Sequence, residues 1–266
     1  MSGSLRSLPG TLPLLALLGS PAVADVLVVA ADGSGDFLEV QNAVDAAVDG
    51  DTLLVHPGTY LGFDVPGRSI AITSVTPGLA IIDGTVRVRD LAADQTVTLS
   101  GLTVNGGLFG PVGLNWALRL QDNAGSFVAQ DCDFTANPSS PTNFGFPAAS
   151  ITSSASSAFI RCQLVGGQGP FGSSCCSTGA SGGSGVEADG GGVLTLFECT
   201  ATGATGGLDG WGGPGGHGVT KVDGELHVHG SDLTGGRGGQ GTDFIFGPGG
   251  DGGHALQLGA AATAYL

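Results

Sequence analysis

The sequence predicts an all-β solenoid with glycine-rich loops on one side and an amphipathic helix that caps its N-terminal end. Strand-like apolar segments recur along the chain at intervals of roughly 30 residues, which is the spacing of a repeat architecture. Glycine supplies 51 of the 266 residues, and long helices are disfavoured because each helical glycine costs about 1 kcal/mol against alanine. Apolar residues reach 41%, which is too high for a disordered chain and suits one continuous core.

The charge balance of the chain limits the kinds of molecule that we expect it to bind. Asp and Glu number 23 against 8 Lys and Arg, which gives a formal net charge of −15. Because nucleic-acid binding needs a basic surface to neutralise phosphates, no nucleic-acid partner is expected.

The first 24 residues have the pattern of a signal peptide. Arg6 precedes the short apolar run 12–18, and Ala22-Val23-Ala24 fits the small-x-small cleavage pattern. We expect cleavage after Ala24, export of the chain, and a single domain over residues 25–266. The run is too short to span a bilayer, so no membrane span is expected after cleavage.

The next elements follow in order. An apolar strand over 26–30 leads to a turn-rich stretch, in which Asp36 and Glu39 have the spacing of a capping box. The box predicts a helix over about 37–48, with apolar residues on one face. A strand over 52–55 and a tight turn over 56–60 then complete this part of the chain.

The segment VVAADGSGDFLEVQNAVDAAVDGDTLLVHPGTY closely resembles the opening of pectin methylesterases and their relatives in the pectin lyase-like superfamily. The resemblance covers about residues 26–60. It implies a single-stranded right-handed parallel β-helix whose N-terminal end is covered by the helix. His56 and Tyr60 are interpreted as a turn residue and a core residue of this fold.

The repeats support a solenoid independently. Small residues at matching positions are 31, 30, 37 and 32 residues apart: Gly101, Cys132, Cys162, Cys199 and Ser231. A shorter strand precedes each of these core strands, and a sixth copy begins at Ala255. No capping repeat follows this last copy, so its open end could self-associate.

Five cysteines occur in a chain that we expect to be exported, so at least one thiol stays unpaired. Cys132, Cys162 and Cys199 are predicted to form an inward ladder of small side chains in stacked coils. A disulfide between Cys132 and Cys162 is the alternative. Cys175 and Cys176 lie in a predicted loop.

Glycine-rich loops over about 166–254 follow the core strands and align with one another. Insertions on one face of a solenoid are often its binding face, and aromatic rings in a polar groove suit sugar rings. The binding candidates are Asp209, Trp211, Phe244 and Phe246. The alternative is that the loops merely cover that side.

Three fragments resemble parts of the esterase active site. Arg119 ends a fragment like the family's QAVALR strand, with Leu114 in the place of the glutamine. Gln168 matches a glutamine of the family's oxyanion-binding segment, and Asp243 would be the nucleophile. These two catalytic candidates are 75 residues apart, and no downstream Arg-Pro-Trp motif follows.

The superfamily also includes calcium-dependent lyases, whose centre combines clustered acids with a basic residue. Asp122, Asp131 and Asp133 lie near Arg119 in the sequence, although surface acids that aid solubility explain them as well. His227 and His229 share one face without an evident third metal ligand. No cofactor is expected, and no motif supports calcium.

These observations favour an exported, non-catalytic surface or secreted protein, with a binding or structural role and possible contact with polysaccharide. The alternative is a polysaccharide-active enzyme, either a pectinesterase-like carbohydrate esterase or a calcium-dependent polysaccharide lyase.

Overall fold

The structure, a computed structural model, describes residues 24–107, 116–137, 144–169, 179–208, 212–241 and 249–266. Nearly all regular structure in these ranges is β, with one short helix, α1, over Val40–Ala46. In chain order the strands are β1 Val26–Val29, β2 Thr52–Val55, β3 Gly58–Leu61, β4 Asp64–Pro66, β5 Ala71–Ser74, β6 Ala80–Asp83, β7 Val86–Arg89, β8 Thr96–Ser100, β9 Leu102–Asn105, β10 Leu118–Gln130, β11 Asp133–Thr135, β12 Ala149–Ile160, β13 Gln163–Val165, β14 Val186–Asp189, β15 Val193–Phe197, β16 Thr200–Thr202, β17 Val219–His229, β18 Asp232–Thr234 and β19 Leu256–Tyr265.

Every strand pair is parallel, and the chain visits three ladders of strands in turn. Ladder 1 contains β4, β7, β14 and the first parts of β10, β12, β17 and β19. Ladder 2 contains β1, β2, β5, β8, β15 and the second parts of the same long strands. Ladder 3 contains β3, β6, β9, β11, β13, β16 and β18.

The predicted all-β class with parallel strands is therefore confirmed. Strands β12, β14, β17 and β15 close a ring of four, because β12 and β17 each run through both ladder 1 and ladder 2. That the whole chain is one right-handed coil stays a prediction.

Alternation along the strands builds the core. In ladder 1, one inward row places apolar side chains at the same position of successive coils, and all of them are buried: Val86, Leu118, Ala149, Val186 and Val219. Burial of each larger aliphatic side chain stabilises the fold by about 1.5–3 kcal/mol. The residues between them face outward, which leaves a polar row on each ladder.

Helix α1 is shorter than the predicted span of 37–48, and the predicted capping box is absent. The Asp36 carboxylate accepts the N–H of Val28 at 2.9 Å, and the Glu39 carboxylate accepts the N–H of Leu61. Both acids thus bind neighbouring backbone instead of capping the helix. Arg68 donates to the carbonyls of Val44 and Ala47, which satisfies the C-terminal end of α1.

In the predicted turn over 56–60, Tyr60 is a core residue, as the sequence predicts. Tyr60 is buried, and its hydroxyl donates to the carbonyl of His56 at 2.8 Å.

One residue per coil turns the corner between ladders 2 and 3 with a positive φ. The angles at Gly101, Asp131, Arg161, Glu198 and Gly230 are 67°, 53°, 51°, 53° and 58°. This register corrects the sequence alignment by one residue, because Gly101 matches Asp131 rather than Cys132. Glycine fits the left-handed corner without strain, which is why it stands where other coils carry charged residues.

The cysteine ladder is confirmed. Cys132, Cys162 and Cys199 are buried free thiols, and the Cys199 thiol donates to the carbonyl of Phe159 at 3.2 Å. The hydrogen bond with Cys132, together with burial, raises the pKa of the Cys162 thiol to about 12. Cys175 and Cys176 lie outside the described residues.

Candidate functional site

The glycine-rich segments form a packed two-layer structure, which we call the glycine sandwich. Segments 144–148, 179–185, 212–218 and 249–255 lead into ladder 1 and form its incoming layer. Segments 165–169, 202–208 and 234–241 leave ladder 3 and form its outgoing layer. Backbone hydrogen bonds join neighbours within each layer and across the two layers.

A three-residue period, Gly-Gly-X, organises these bonds. The first glycine donates to the next coil of its own layer, as Gly215 does to the carbonyl of Asp251 at 2.8 Å. The second glycine donates across the sandwich, as Gly239 does to the carbonyl of Gly213 at 2.7 Å. The X side chain points outward, and Thr205 is exposed for this reason. Three residues per turn is the period of polyproline II.

Close backbone contact favours glycine at many positions of the sandwich. A Cβ added to Gly216 would lie 2.0 Å from the carbonyl oxygen of Gly183, and one on Gly239 would lie 2.0 Å from that of Gly207. The described segments therefore pack against one another as two layers. The overlooked signal is the triplet period itself, as in GGPGGHG over 212–218 and GGRGGQG over 235–241.

The incoming layer continues directly into ladder 1, so their outward side chains share one surface, the front face. On ladder 1 its central row runs through successive coils: Arg87, Arg119, Ser150, Glu187, Thr220 and Gln257. Four members of this row have a second front-face residue three positions earlier in the chain. These earlier residues are Trp116, Ser184, His217 and His254. Neighbouring coils in a parallel ladder are about 4.8 Å apart, which makes the front face a regular array.

Trp116 and Arg119 form the most distinctive contact on the front face. The guanidinium carbon of Arg119 lies 4.4 Å from the centroid of the Trp116 ring, and Phe146 packs edge-on against the same ring at 5.4 Å. The Nε of Arg119 is buried without a hydrogen-bond partner, and Arg119 forms no ion pair among the described residues. Burial, with a smaller effect from the nearby Arg87, lowers the pKa of Arg119.

The other arginines of ladder 1 are neutralised. Asp64 binds Arg87 and Arg89, each at 2.9 Å, and Asp90 binds Arg89 at 2.6 Å. Burial alone would raise the pKa of Asp64, but the hydrogen bonds from the two arginines outweigh it and lower that pKa. The free donor capacity on this part of the front face therefore belongs to Arg119.

Two acidic residues of the front face lie on one strand, β14. Glu187 and Asp189 alternate with buried residues on β14 and point outward. Desolvation, and then the charge of Asp189, raise the pKa of Glu187. Ser150 separates Glu187 from Arg119 in the central row, so the two charged groups stand two strands apart.

Of the predicted catalytic pair, only Gln168 lies among the described residues. Gln168 is exposed in the outgoing layer, between Gly167, which donates to the carbonyl of Phe146, and Gly169, which donates to that of Thr205. Asp243 lies outside the described residues, as do the predicted binding residues Asp209, Trp211, Phe244 and Phe246.

Of the acids considered for a lyase centre, only Asp122 acts on the pKa of Arg119, which its charge raises. Asp131 pairs with Arg161 at 2.7 Å, and Asp133 is exposed on ladder 3. Asp122 sits at the corner that joins the two parts of β10, with a φ of 54°. Within the described ranges, no group of three His, Cys, Asp or Glu residues could hold a metal ion.

Of the two histidines predicted to share a face of ladder 2, His227 contacts two other side chains. The Nε2 of His227 lies 3.2 Å from a carboxylate oxygen of Glu225, and its ring stacks on Tyr265 with centroids 4.7 Å apart.

A shallow groove of about 620 Å³ follows the corner between ladders 1 and 2. The polar groups at the groove are hydrogen-bonded to the backbone of the corner itself. The buried Asn123 bonds the backbone of Leu91 and Val88, and Asp223 accepts the N–H groups of Gly190 and Gly191. The groove is therefore a consequence of the turn.

Comparison with known proteins finds similar folds only. No family model and no curated protein matches this chain. A pectin methylesterase mutant solved with a hexasaccharide is 12% identical, with a TM-score of 0.45 and 76% of this chain covered. This chain spans 65% of the length of that enzyme.

Two further structures match at similar levels. Pectin methylesterase from carrot is 16% identical over 93% of this chain and 90% of its own, with a TM-score of 0.45. A pectate lyase is 14% identical over 93% of this chain and 80% of its own, with a TM-score of 0.36. These neighbours belong to the superfamily that residues 26–60 resemble.

No helix in the part of the chain that the structure describes is long and apolar enough to cross a membrane.

Proposed function

We propose that this chain is an exported, non-catalytic protein that binds polysaccharide through its front face. The fold that we propose for it is a single-stranded right-handed parallel β-helix. The contact between Trp116 and Arg119 carries the proposal: a guanidinium, whose Nε has no hydrogen-bond partner among the described residues, lies over an indole ring on a regular polar surface.

The chemistry of this pair suits a sugar chain. The indole offers an apolar surface to the C–H face of a pyranose ring, and the guanidinium offers donors to ring hydroxyls or carboxylates. The regular coils continue the surface with Ser150 and Thr220, whose hydroxyls both donate and accept. An extended polymer can therefore contact several coils at once.

The free charge of Arg119 favours a binding role over an esterase. Carboxylate nucleophiles need a second group within hydrogen-bond reach. No acidic side chain of the described residues forms an ion pair with Arg119. Gln168 belongs to the outgoing layer.

A glycan array, followed by affinity electrophoresis in gels that contain the best polysaccharide, tests the proposal. Trp116→Ala and Arg119→Gln are expected to weaken binding about tenfold each, equivalent to about 1.4 kcal/mol. Tyr265→Ala is the matched control, since it removes an exposed ring from ladder 2 and should leave binding unchanged. Equal binding by Trp116→Ala and the parent would overturn the front face as the site.

A polysaccharide-active enzyme is the second candidate, and Glu187 favours it. A carboxyl with a raised pKa beside Asp189, on the same face as Arg119, has the properties of a general acid. Release of methanol from methyl-esterified polysaccharide, or of unsaturated product from its acid form, would support this candidate. Loss of that activity in Glu187→Gln, with retention in Glu225→Gln on ladder 2, would place it on the front face.

A further inference from the structure

His217 and His254 occupy the same position of the triplet in successive segments of the incoming layer. Their rings are stacked with centroids 5.4 Å apart and an interplanar angle of 2°. The backbone N–H of His254 donates to the Nδ1 of His217 at 2.9 Å. A ring nitrogen that accepts this bond carries no proton, so this arrangement requires a neutral His217 with its proton on Nε2.

This bond helps to hold segment 249–255 on the sandwich. Backbone bonds join the same two segments, from Gly215 to the carbonyl of Asp251 at 2.8 Å and from Gly218 to that of His254 at 2.9 Å. Among the described residues, the His217 ring supplies the one side-chain hydrogen bond between segments 212–218 and 249–255.

We propose that His217 is a pH-sensitive clasp, whose protonation at Nδ1 loosens the contact of segment 249–255 with segment 212–218. Protonation converts the acceptor into a donor that faces the N–H of His254, so the bond is lost and two donors oppose each other. Because segment 249–255 contributes Asp251 and His254 to the front face, acid would loosen one coil of that surface.

The groups around His217 do not stabilise an imidazolium. Segment 249–255 presents His254 and Asp251, and β19 presents the neutral Gln257. On the preceding coil, Ser184 and the more distant Glu187 face the same side, and the opposite layer presents Ala204. No carboxylate of the described residues forms an ion pair with His217.

The electrostatics agree with this geometry. Burial and, secondarily, the adjacent His254 lower the pKa of His217, while a hydrogen bond with Gln257 opposes them. A base whose pKa is lowered on folding stabilises the fold less as the pH falls below its ordinary value of about 6.5. The clasp should therefore weaken between that pH and the lower pKa of the folded state.

Hydrogen exchange with mass spectrometry on the full chain, at pH 7.5 and pH 5.0 with intrinsic rates corrected, tests the clasp. Protection of peptides over 249–255 should fall about tenfold at pH 5.0, while peptides from β12 stay unchanged. In His217→Asn, whose amide oxygen can accept the same bond without titrating, protection should be the same at both pH values. His229→Asn, an exposed histidine of ladder 2, should behave as the parent.

Two results would overturn the proposal. One is equal protection of 249–255 at both pH values in the parent, and the other is the same loss in His217→Asn as in the parent. If His217→Asn fails to fold, the imidazole titration of His217 in the parent, followed by NMR, decides instead. A pKa at or above 6.5 would contradict the clasp, and a lower one would support it.

Discussion

The N–H of Gly216 donates to the carbonyl of Ala204 at 2.8 Å, and this bond joins the two layers of the glycine sandwich. Bonds of this kind recur at the second glycine of each triplet, where a side chain would occupy the place of the opposite backbone. The sandwich is therefore held by backbone hydrogen bonds and close contact, with little apolar burial of its own.

Gly216→Ala should destabilise the protein by about 3 kcal/mol or more, because its methyl group would overlap backbone that cannot move aside alone. Gly252→Ala is the matched control, since a Cβ there has its nearest neighbour at 3.6 Å. Denaturant unfolding at equal pH measures both variants. A change within about 0.5 kcal/mol for Gly216→Ala would show that the sandwich is not packed as described.

Ser157→Ala should stabilise the protein by about 1 kcal/mol. The Ser157 hydroxyl is buried without a partner in the described residues, on an inward row between Phe127 and Leu194. Alanine removes a desolvated polar group and leaves the apolar row intact. Thermal unfolding should place Ser157→Ala above the parent and the control Ser156→Ala, which faces outward, close to it. A lower stability for Ser157→Ala would mean that the hydroxyl has a partner.

Lys221→Met should stabilise the protein at neutral pH. Lys221 is buried in an inward row, and burial lowers its pKa, although Asp223 and Asp189 oppose the shift. The folded state binds this proton less well than the unfolded chain, so stability rises with pH between the folded pKa and about 10.4. The advantage of Lys221→Met should thus shrink as the pH approaches 10.

Urea unfolding at pH 7 and pH 10 measures this difference. Val222→Met, at the exposed neighbouring position, is the control for the added side chain. An advantage of Lys221→Met that is equal at both pH values would contradict the pKa shift.

Cys132, Cys162 and Cys199 should resist thiol reagents in the native protein. Their burial leaves no access, and the raised pKa values of Cys162 and Cys199 keep these two thiols protonated at neutral pH. Alkylation followed by peptide mapping should label them only after denaturation. Rapid native labelling, or a disulfide-linked peptide that contains Cys132 and Cys162, would contradict the ladder.

The sequence predicted the coils well because their signal is local. Apolar alternation and the recurring small residues place Cys132, Cys162 and Cys199 on one inward row, and the structure confirms them. Helix α1 was predicted too long, since Asp36 and Glu39 bind backbone that is distant in sequence and leave the helix uncapped. A long-range partner of this kind leaves no trace in the local pattern.

The front face was only partly predictable. The fragment that ends in Arg119 resembles an esterase strand in sequence, but the sequence does not predict its contact with Trp116, three residues earlier. Gln168 stays a catalytic candidate from the sequence, and the structure places its segment in the outgoing layer. Which layer a glycine segment joins depends on the hydrogen bonds it makes with other coils.

By itself the sequence determined an all-β chain of repeating coils with a buried thiol ladder, because side-chain alternation and repeat spacing are properties of the chain alone. Only the tertiary structure decided what the glycines do. A triplet such as GGPGGHG is compatible with a flexible loop until neighbouring segments supply carbonyls at hydrogen-bond distance on two sides. The same packing decided that Arg119 meets Trp116 and that His217 accepts the N–H of His254, since both contacts depend on the positions of backbone in adjacent coils.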